Sequence, residues 1–347
     1  MSLKFEIINP LQFEGWDELI LQTHGYFFFH SSAWAKVLYD SYNYTPLYFT
    51  LIDGNKLLVL IPLMEVNSFL TGRRGVALPF SDYCDPILSE RIKKEEIFNY
   101  IINYGEKAQW KYFELKAGEK LFKDIKPSAI FCRHVLNLSK SVDLVFSKFR
   151  DSTKRNIKKA IREGVKVKIY NSLESIKEYY RLHCITRKTH GLPPQPFCFF
   201  RNIYDKIISK NLGFVVLASY NGKKIAGNVY FHIQKKAYYK YGAMDKKYQH
   251  LRASNLVMWE AIQWFTKNGY ESLCLGRTEP ENKGLLQFKN GWGTEQKVIE
   301  YYKFNLNNKN RFIKDDFFIG SGIKKVTSHL PIPILKIIGS LFYKHFG

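Results

Sequence analysis

The sequence predicts a mixed α/β fold, α+β sheets of antiparallel and parallel strands, laid out twice along the chain. Three observations predict it. The turn signals Asp53-Gly54 and Asn221-Gly222 each lie between strand-like runs rich in branched and aromatic residues. Each hairpin is followed by a third strand-like run and a polar loop. An amphipathic run of helical length and a short apolar run then close each half. The residues of the two halves barely match, so the plan is duplicated and the sequence is not. One larger mixed sheet is the competing architecture.

In the first half, Leu47–Ile52 and Leu57–Val66 form the hairpin and Gly75–Leu78 the third strand, followed by the loop Ser81–Asp85. A helix over Ile92–Gln109 and a strand over Tyr112–Leu115 complete it. Next, Ser141–Gly164 reads as one or two helices, with Leu144, Phe146, Phe149, Ile157 and Ile161 apolar. Lys148, Arg150, Lys154, Arg155, Lys158, Lys159 and Arg162 give this segment a basic face, and Gly164 is a helix stop. Tyr179–Thr189 and Cys198–Ser209 read as helices around a bend stiffened by Pro193, Pro194 and Pro196. In the second half, the hairpin is Gly213–Ser219 with Lys224–His232, and the third strand is Ala237–Ala243. The loop Asp245–Arg252, a helix over Ser254–Asn268 and the strand Ser272–Leu275 follow. The domain boundaries drawn from this order are 1–140, 141–306 and a tail, 307–347. In the tail, Leu335, Ile338, Leu341, Phe342 and Phe346 recur at helical spacing, with Lys324, Lys325, Lys336 and Lys344 interleaved. That pattern suits either a helix lying in a membrane interface or one docked on the protein's own core.

The most informative stretch is Leu275–Gly293, LGRTEPENKGLLQFKNGWG, which precedes a strand-like run, Val298–Phe304. It puts Arg277 and Lys289 near strand ends, where sites of α/β folds gather. Gly276, Arg277, Phe288, Lys289, Gly291, Trp292 and Gly293 resemble the closing motif of the FemAB-like branch of the GNAT (N-acyltransferase) superfamily. His30-Ser31-Ser32-Ala33-Trp34 and Leu78-Pro79-Phe80-Ser81-Asp82-Tyr83 resemble first-half motifs of that branch. Thr153–Ala160 and His190–Pro196 resemble second-half ones, so the likeness spans roughly residues 25–305.

The resemblance implies two tandem GNAT-like domains with a short helical tail, and an amide-forming acyltransferase. It implies no permanently bound cofactor; the donor co-substrate is aminoacyl-tRNA or acyl-CoA. It implies an acceptor amine on a cell-envelope precursor, a peptidoglycan peptide or an amino sugar. Lys289 inherits the place near the reacting ester. Arg277 joins it in stabilising developing negative charge, and Asp82 orients or deprotonates the amine, with Glu279 a further candidate. Trp34, Tyr83, Asp85, Phe288, Arg155 and Lys158 are expected to contact substrates. So is the loop Gln249, Arg252 and Ser254, where GNAT domains bind an acyl carrier's pyrophosphate through bare N–H groups and glycines. Arg252 and Ser254 stand where small residues belong, which favours the aminoacyl-tRNA branch. Ser254 also reads as a helix cap.

Composition narrows the partners. Lys and Arg number 53 against 31 Asp and Glu, a formal charge of +22 in 347 residues. Such an excess favours an anionic partner: tRNA, a phosphorylated precursor or an acidic membrane surface. A solvated basic surface is the plainer alternative, and a non-catalytic RNA- or membrane-binding protein the rival of another class. Five cysteines without paired spacing fit a reducing compartment. The opening MSLKFEIINP has no apolar signal core, and no run reaches the ~18–20 apolar residues of a membrane span. The expectation is a cytoplasmic enzyme, peripheral at the inner face of the membrane. No GxSxG elbow, phosphate loop or metal-ligand spacing occurs, so no metal is expected.

Overall fold

The computed structural model describes residues 4–116, 121–122, 125–139, 141–307, 311–313 and 327–347. The chain forms two compact units. One comprises Met1–Phe131, Val298–Phe317 and Phe342–Gly347; the other comprises Cys132–Lys297 and Phe318–Leu341. The cuts expected at residues 140 and 306 fall elsewhere in this division. Strand partners decide it: Tyr301–Asn305 pairs with Tyr112–Lys116, and Cys132–Asn137 pairs along Ser272–Thr278.

In the first unit the strands run Glu6–Ile8, Thr45–Asp53, Lys56–Ser68, Gly72–Ala77, Tyr112–Lys116, Glu295–Asn305. All neighbours are antiparallel except Gly72–Ala77 with Tyr112–Lys116, which a helix, Lys94–Lys107, connects in parallel. The tight hairpin Asp53↔Lys56 forms as its turn signal predicts. Phe49, Val59, Ile61, Ile97, Ile101, Trp110 and Phe113 build the core between helix and sheet.

The second unit repeats the plan. Its strands run Ala129–Asn137, Ser272–Thr278, Lys236–Met244, Lys223–Ile233, Gly213–Tyr220, Lys166–Tyr170. Asn221 (φ +47°) and Gly222 (φ +76°) make the left-handed two-residue turn that matches strand twist. The helix Ala253–Lys267 carries the chain from Lys236–Met244 to the parallel strand Ser272–Thr278. That parallel pairing covers only Lys236–Tyr238; from Tyr239 onward the two strands share no register. The helix Asp151–Arg162 packs Thr153, Ile157 and Ala160 toward the helix Ala253–Lys267. Its expected apolar residue Ile161 is exposed instead, as is Leu144.

Among the elements not expected are the helices Trp16–Leu21 and Ser32–Tyr42 and the strands Glu6–Ile8, Ala129–Asn137 and Lys166–Tyr170. The tail forms a helix, Ile332–Phe342, and a final turn, Tyr343–His345. Leu335 is fully buried, and a side-chain carbon on Gly339 would sit 2.0 Å from the Pro194 carbonyl. The inner side of this helix is therefore docked on the second unit. Lys324 and Lys325 lie outside the described residues. Among the described residues no helix is long and apolar enough to cross a membrane.

Candidate active site

In the second unit the site is built on a strand that changes partners. Ser272–Cys274 is flanked on both sides, but beyond Cys274 the neighbour Lys236–Met244 no longer pairs. The other edge is bulged between Cys274 and Arg277, and Gly276 takes φ +71°. A bulge re-aims backbone groups. Here the Arg277 carbonyl accepts a 2.7 Å hydrogen bond from the Lys289 ammonium.

The Lys289 ammonium thus reaches the end of the strand Ser272–Thr278, as the sequence suggested, but from a helix. The residue lies in the last turn of that helix, Lys283–Asn290, whose Asn282 cap accepts from the Leu285 N–H. Lys289 is 4% exposed. The Gly-Trp-Gly that follows fixes it. A Cβ on Gly291 would meet the Thr153 hydroxyl at 2.5 Å, and one on Gly293 (φ +69°) the Lys148 carbonyl at 2.8 Å. The Gly291 carbonyl accepts from the Arg150 N–H at 2.9 Å. Trp292 is fully buried, its ring 5.0 Å from Phe149 and 5.9 Å from Phe288. Phe288 therefore packs on the motif's own tryptophan. Arg277 is partly exposed, and Glu279 lies on the surface.

A group that sequence reasoning missed is close by. His134, on the strand Ala129–Asn137, is fully buried, and its pKa is held down to about 4, first by burial and then by the Lys289 charge. It is neutral at pH 7. The Thr294 hydroxyl lies 3.5 Å from His134 Nδ1 and donates to the Lys289 carbonyl at 3.2 Å. Thr278, the residue after Arg277, is also fully buried. The only hint in the sequence was a polar Arg-His pair inside an otherwise apolar run.

The loop before the helix Ala253–Lys267 departs from expectation in one respect. Ser254 does not cap the helix; its hydroxyl points at Met244 Sδ, 3.4 Å away. The cap is Arg252, in left-handed backbone (φ +58°), and no side chain caps the helix. Gln249 and Arg252 are exposed. On the basic helix, Arg155 and Lys158 are exposed, whereas Lys154 donates to the Ser147 carbonyl at 2.9 Å.

In the first unit the candidates divide. Trp34 is fully buried, its ring 5.3 Å from Phe29, so it packs the core and does not meet substrate. The loop Leu78–Asp85 is built on left-handed backbone at Leu78 (φ +37°) and Phe80 (φ +62°), costly for such residues. It is held by Lys116, another residue not anticipated, whose buried ammonium donates to the Leu78 and Ser81 carbonyls at 3.3 and 3.4 Å. Asp82 is half-buried and its carbonyl accepts from the Tyr301 hydroxyl at 2.6 Å. Tyr83 packs edge-on to Phe27, and Asp85 is buried beside Cys84, whose thiol pKa is pushed up by burial. Among the described residues no group of three or more His, Cys, Asp or Glu could hold a metal ion.

Residues 147–290 match the acetyltransferase (GNAT) domain family. The matched residues lie within the second unit. A stretch of 151 residues is 26% identical to the UDP-N-acetylmuramoylpentapeptide-lysine N(6)-alanyltransferase of Weissella viridescens, covering 43% of this chain and 44% of that protein. The match thus spans less than half of either. The fold likeness is wider. A crystal structure of FemX matches with TM-score 0.64 and 13% identity, over 86% of this chain and 96% of that one. A tandem GNAT protein of the clavulanic acid biosynthesis pathway matches with TM-score 0.56 and 7% identity, over 89% and 100%. The chain has the fold of the FemAB-like branch of the GNAT superfamily.

Proposed function

We propose that this protein transfers an aminoacyl group from aminoacyl-tRNA to an amine of a peptidoglycan precursor peptide. The observation that carries the reading is the buried Lys289 ammonium, held on the Arg277 carbonyl within the GNAT-matching segment. The resemblance to the alanyltransferase supports the choice of an aminoacyl group and of the acceptor.

The acceptor amine loses a proton and attacks the ester carbonyl carbon. A C–N bond forms and negative charge collects on the carbonyl oxygen. Collapse of that oxyanion breaks the C–O bond, and the ribose hydroxyl leaves with a proton. Lys289 stabilises the oxyanion from a water-poor position, where a fixed donor is worth most. His134, kept neutral by burial, adds no second cation to compete for that charge. Arg277 assists. Arg155 and Lys158 meet the tRNA backbone.

The test is direct. The purified protein, alanyl-tRNA and a UDP-N-acetylmuramoyl pentapeptide are incubated, and mass spectrometry looks for the added residue. Lys289→Ala is expected to abolish most transfer while remaining folded. Normal turnover in a folded Lys289→Ala protein would sink the assignment.

One observation favours a rival, an acyl-CoA-dependent acetyltransferase. The helix Ala253–Lys267 begins with no side-chain cap, leaving N–H groups that suit a pyrophosphate. Arg252→Gly removes the obstructing side chain and suits the left-handed backbone, so it should improve or leave unchanged any weak coenzyme A binding. Tight coenzyme A binding by the native protein, lost in Arg252→Gly, would make Arg252 a phosphate ligand and the rival correct.

A further inference from the structure

The outer face of the C-terminal helix Ile332–Phe342 has no role in the reaction above. Leu335 and Gly339 pin its inner face, as described. Ile334, Ile337 and Leu341, at i, i+3 and i+7, all point to solvent, Ile337 with 60% and Leu341 with 57% of its surface exposed. A docked helix that turns branched apolar residues outward calls for a partner on that side.

The residues among them say which partner. Lys336 lies on the same exposed surface, and Lys344 follows in the next turn. From Phe317 to Gly347 the sequence has four lysines and no Asp or Glu. A hollow of about 500 Å³ at the helix edge is lined by Lys177, Tyr180, Phe197, Lys336, Ile337 and Ser340. The Lys336 ammonium lies 5.2 Å from the Tyr180 ring centre, within reach of that hollow. In the first unit the final turn carries a similar feature. The His345 ring packs 4.7 Å from Phe69, a hairpin-tip residue with 83% of its surface exposed. Short apolar side chains with lysines between them are what a bilayer interface accepts: the apolar groups enter the acyl boundary and the lysines reach the phosphates. A second copy of the chain suits this face less, because each copy brings the same lysines and a net charge of +22.

We propose that the outer face of the helix Ile332–Phe342 seats the protein on an acidic membrane surface, with Ile334, Ile337 and Leu341 inserted and Lys336 on a lipid phosphate. Seating is separate from acyl transfer and is measured without either substrate. The full-length protein is sedimented with phosphatidylglycerol–phosphatidylcholine vesicles and with pure phosphatidylcholine vesicles. The native protein should pellet with the acidic vesicles and far less with the neutral ones. Ile334→Ser/Ile337→Ser/Leu341→Ser should lower partitioning about tenfold or more, with an unchanged melting temperature because these side chains face outward. Lys336→Gln should weaken binding by a smaller factor and make it less sensitive to salt. Equal pelleting of the triple variant overturns the proposal. So does a native protein that ignores acidic vesicles. Native dimers in analytical ultracentrifugation that the triple variant dissolves, without vesicle binding, would assign the face to a second copy instead.

Discussion

The two units each bury a lysine ammonium on backbone carbonyls at the end of a sheet strand, and the two lysines are set up differently. Lys116, in the first unit, spreads its bonds over the Leu78 and Ser81 carbonyls at 3.3 and 3.4 Å. It lies with Asp85 around Cys84: its charge lowers the thiol pKa and that of Asp85 raises it. Lys289, in the second unit, donates to the Arg277 carbonyl at a shorter distance, 2.7 Å, and near it lies a neutral histidine. Lys116 holds a loop whose backbone is left-handed at Leu78 and Phe80. Lys289 sits beside a ring that burial keeps neutral at pH 7. On the function proposed above, the same chemical group is a fastener in one unit and a reactive centre in the other.

Removing each lysine is the strongest way to break the comparison. Lys116→Met should destabilise the protein by about 2–5 kcal/mol, because two carbonyls of a buried loop lose their donor. Denaturant melts measure it. Loss of turnover should track the loss of folded protein and be restored where folding is restored, for example at low temperature. Lys289→Ala should show the opposite pattern. Turnover should fall by about 10²–10³-fold, or ~2.7–4 kcal/mol of transition-state stabilisation, with a smaller change in the melt. If Lys289→Ala loses stability and turnover in proportion, both lysines are fasteners and the distinction collapses.

The duplicated plan was legible because hairpin turns and helical periodicity are local. Asn221-Gly222 must adopt its turn whatever surrounds it, and Lys94–Lys107 and Ala253–Lys267 lie within two residues of the expected helices. What escaped was set by distant partners. The strand Ala129–Asn137 reads ambiguously because Arg133 and His134 interrupt it, and His134 is acceptable inside only through the neighbours the fold gives it. Lys116 lies one residue past the expected strand Tyr112–Leu115, and its burial comes from the loop it holds. Trp34 looked like a binding residue because a motif carried it, but it fills the core. Lys283–Asn290 concealed a helix behind Gly284 and a run of polar residues. The closing motif itself was legible, and its glycines gain a physical reason only from Lys148 and Thr153.

Titration sharpens the comparison with a smaller effect. The folded pKa of His134 is about 4, below the ordinary 6.5 of an unfolded histidine. Between those values the unfolded chain binds a proton that the native site refuses. The His134 contribution is therefore complete above pH 6.5 and is lost as pH falls from 6.5 toward 4. His183, held at about 3 by burial, adds a loss of the same sign. In His134→Gln the slope of unfolding free energy against pH in that window should fall by up to one proton, about 1.4 kcal/mol per pH unit. An unchanged slope would mean that His134 reaches water and gives Lys289 no neutral wall.

The smallest expected effect concerns the surface of the second unit and decides whether its charge is used. The helix Asp151–Arg162 buries Thr153, Ile157 and Ala160, and Lys154 is spent on the Ser147 carbonyl. Arg155 and Lys158 are left on the exposed side, where a phosphate backbone could reach them. Neither supports the fold, so Arg155→Gln/Lys158→Gln should melt like the native protein. If the pair contacts tRNA, binding weakens and the slope of log K against log salt flattens by about 1.5 units, since each phosphate contact contributes somewhat less than one. Gel-shift titrations at several salt concentrations supply both numbers. Weaker binding with an unchanged slope points to a distorted surface, and no change in either returns the helix to ordinary solvated charge. Only the flattened slope ties the basic helix of this unit to a nucleic-acid donor, and with it the Lys289 site to aminoacyl transfer in preference to acetyl transfer.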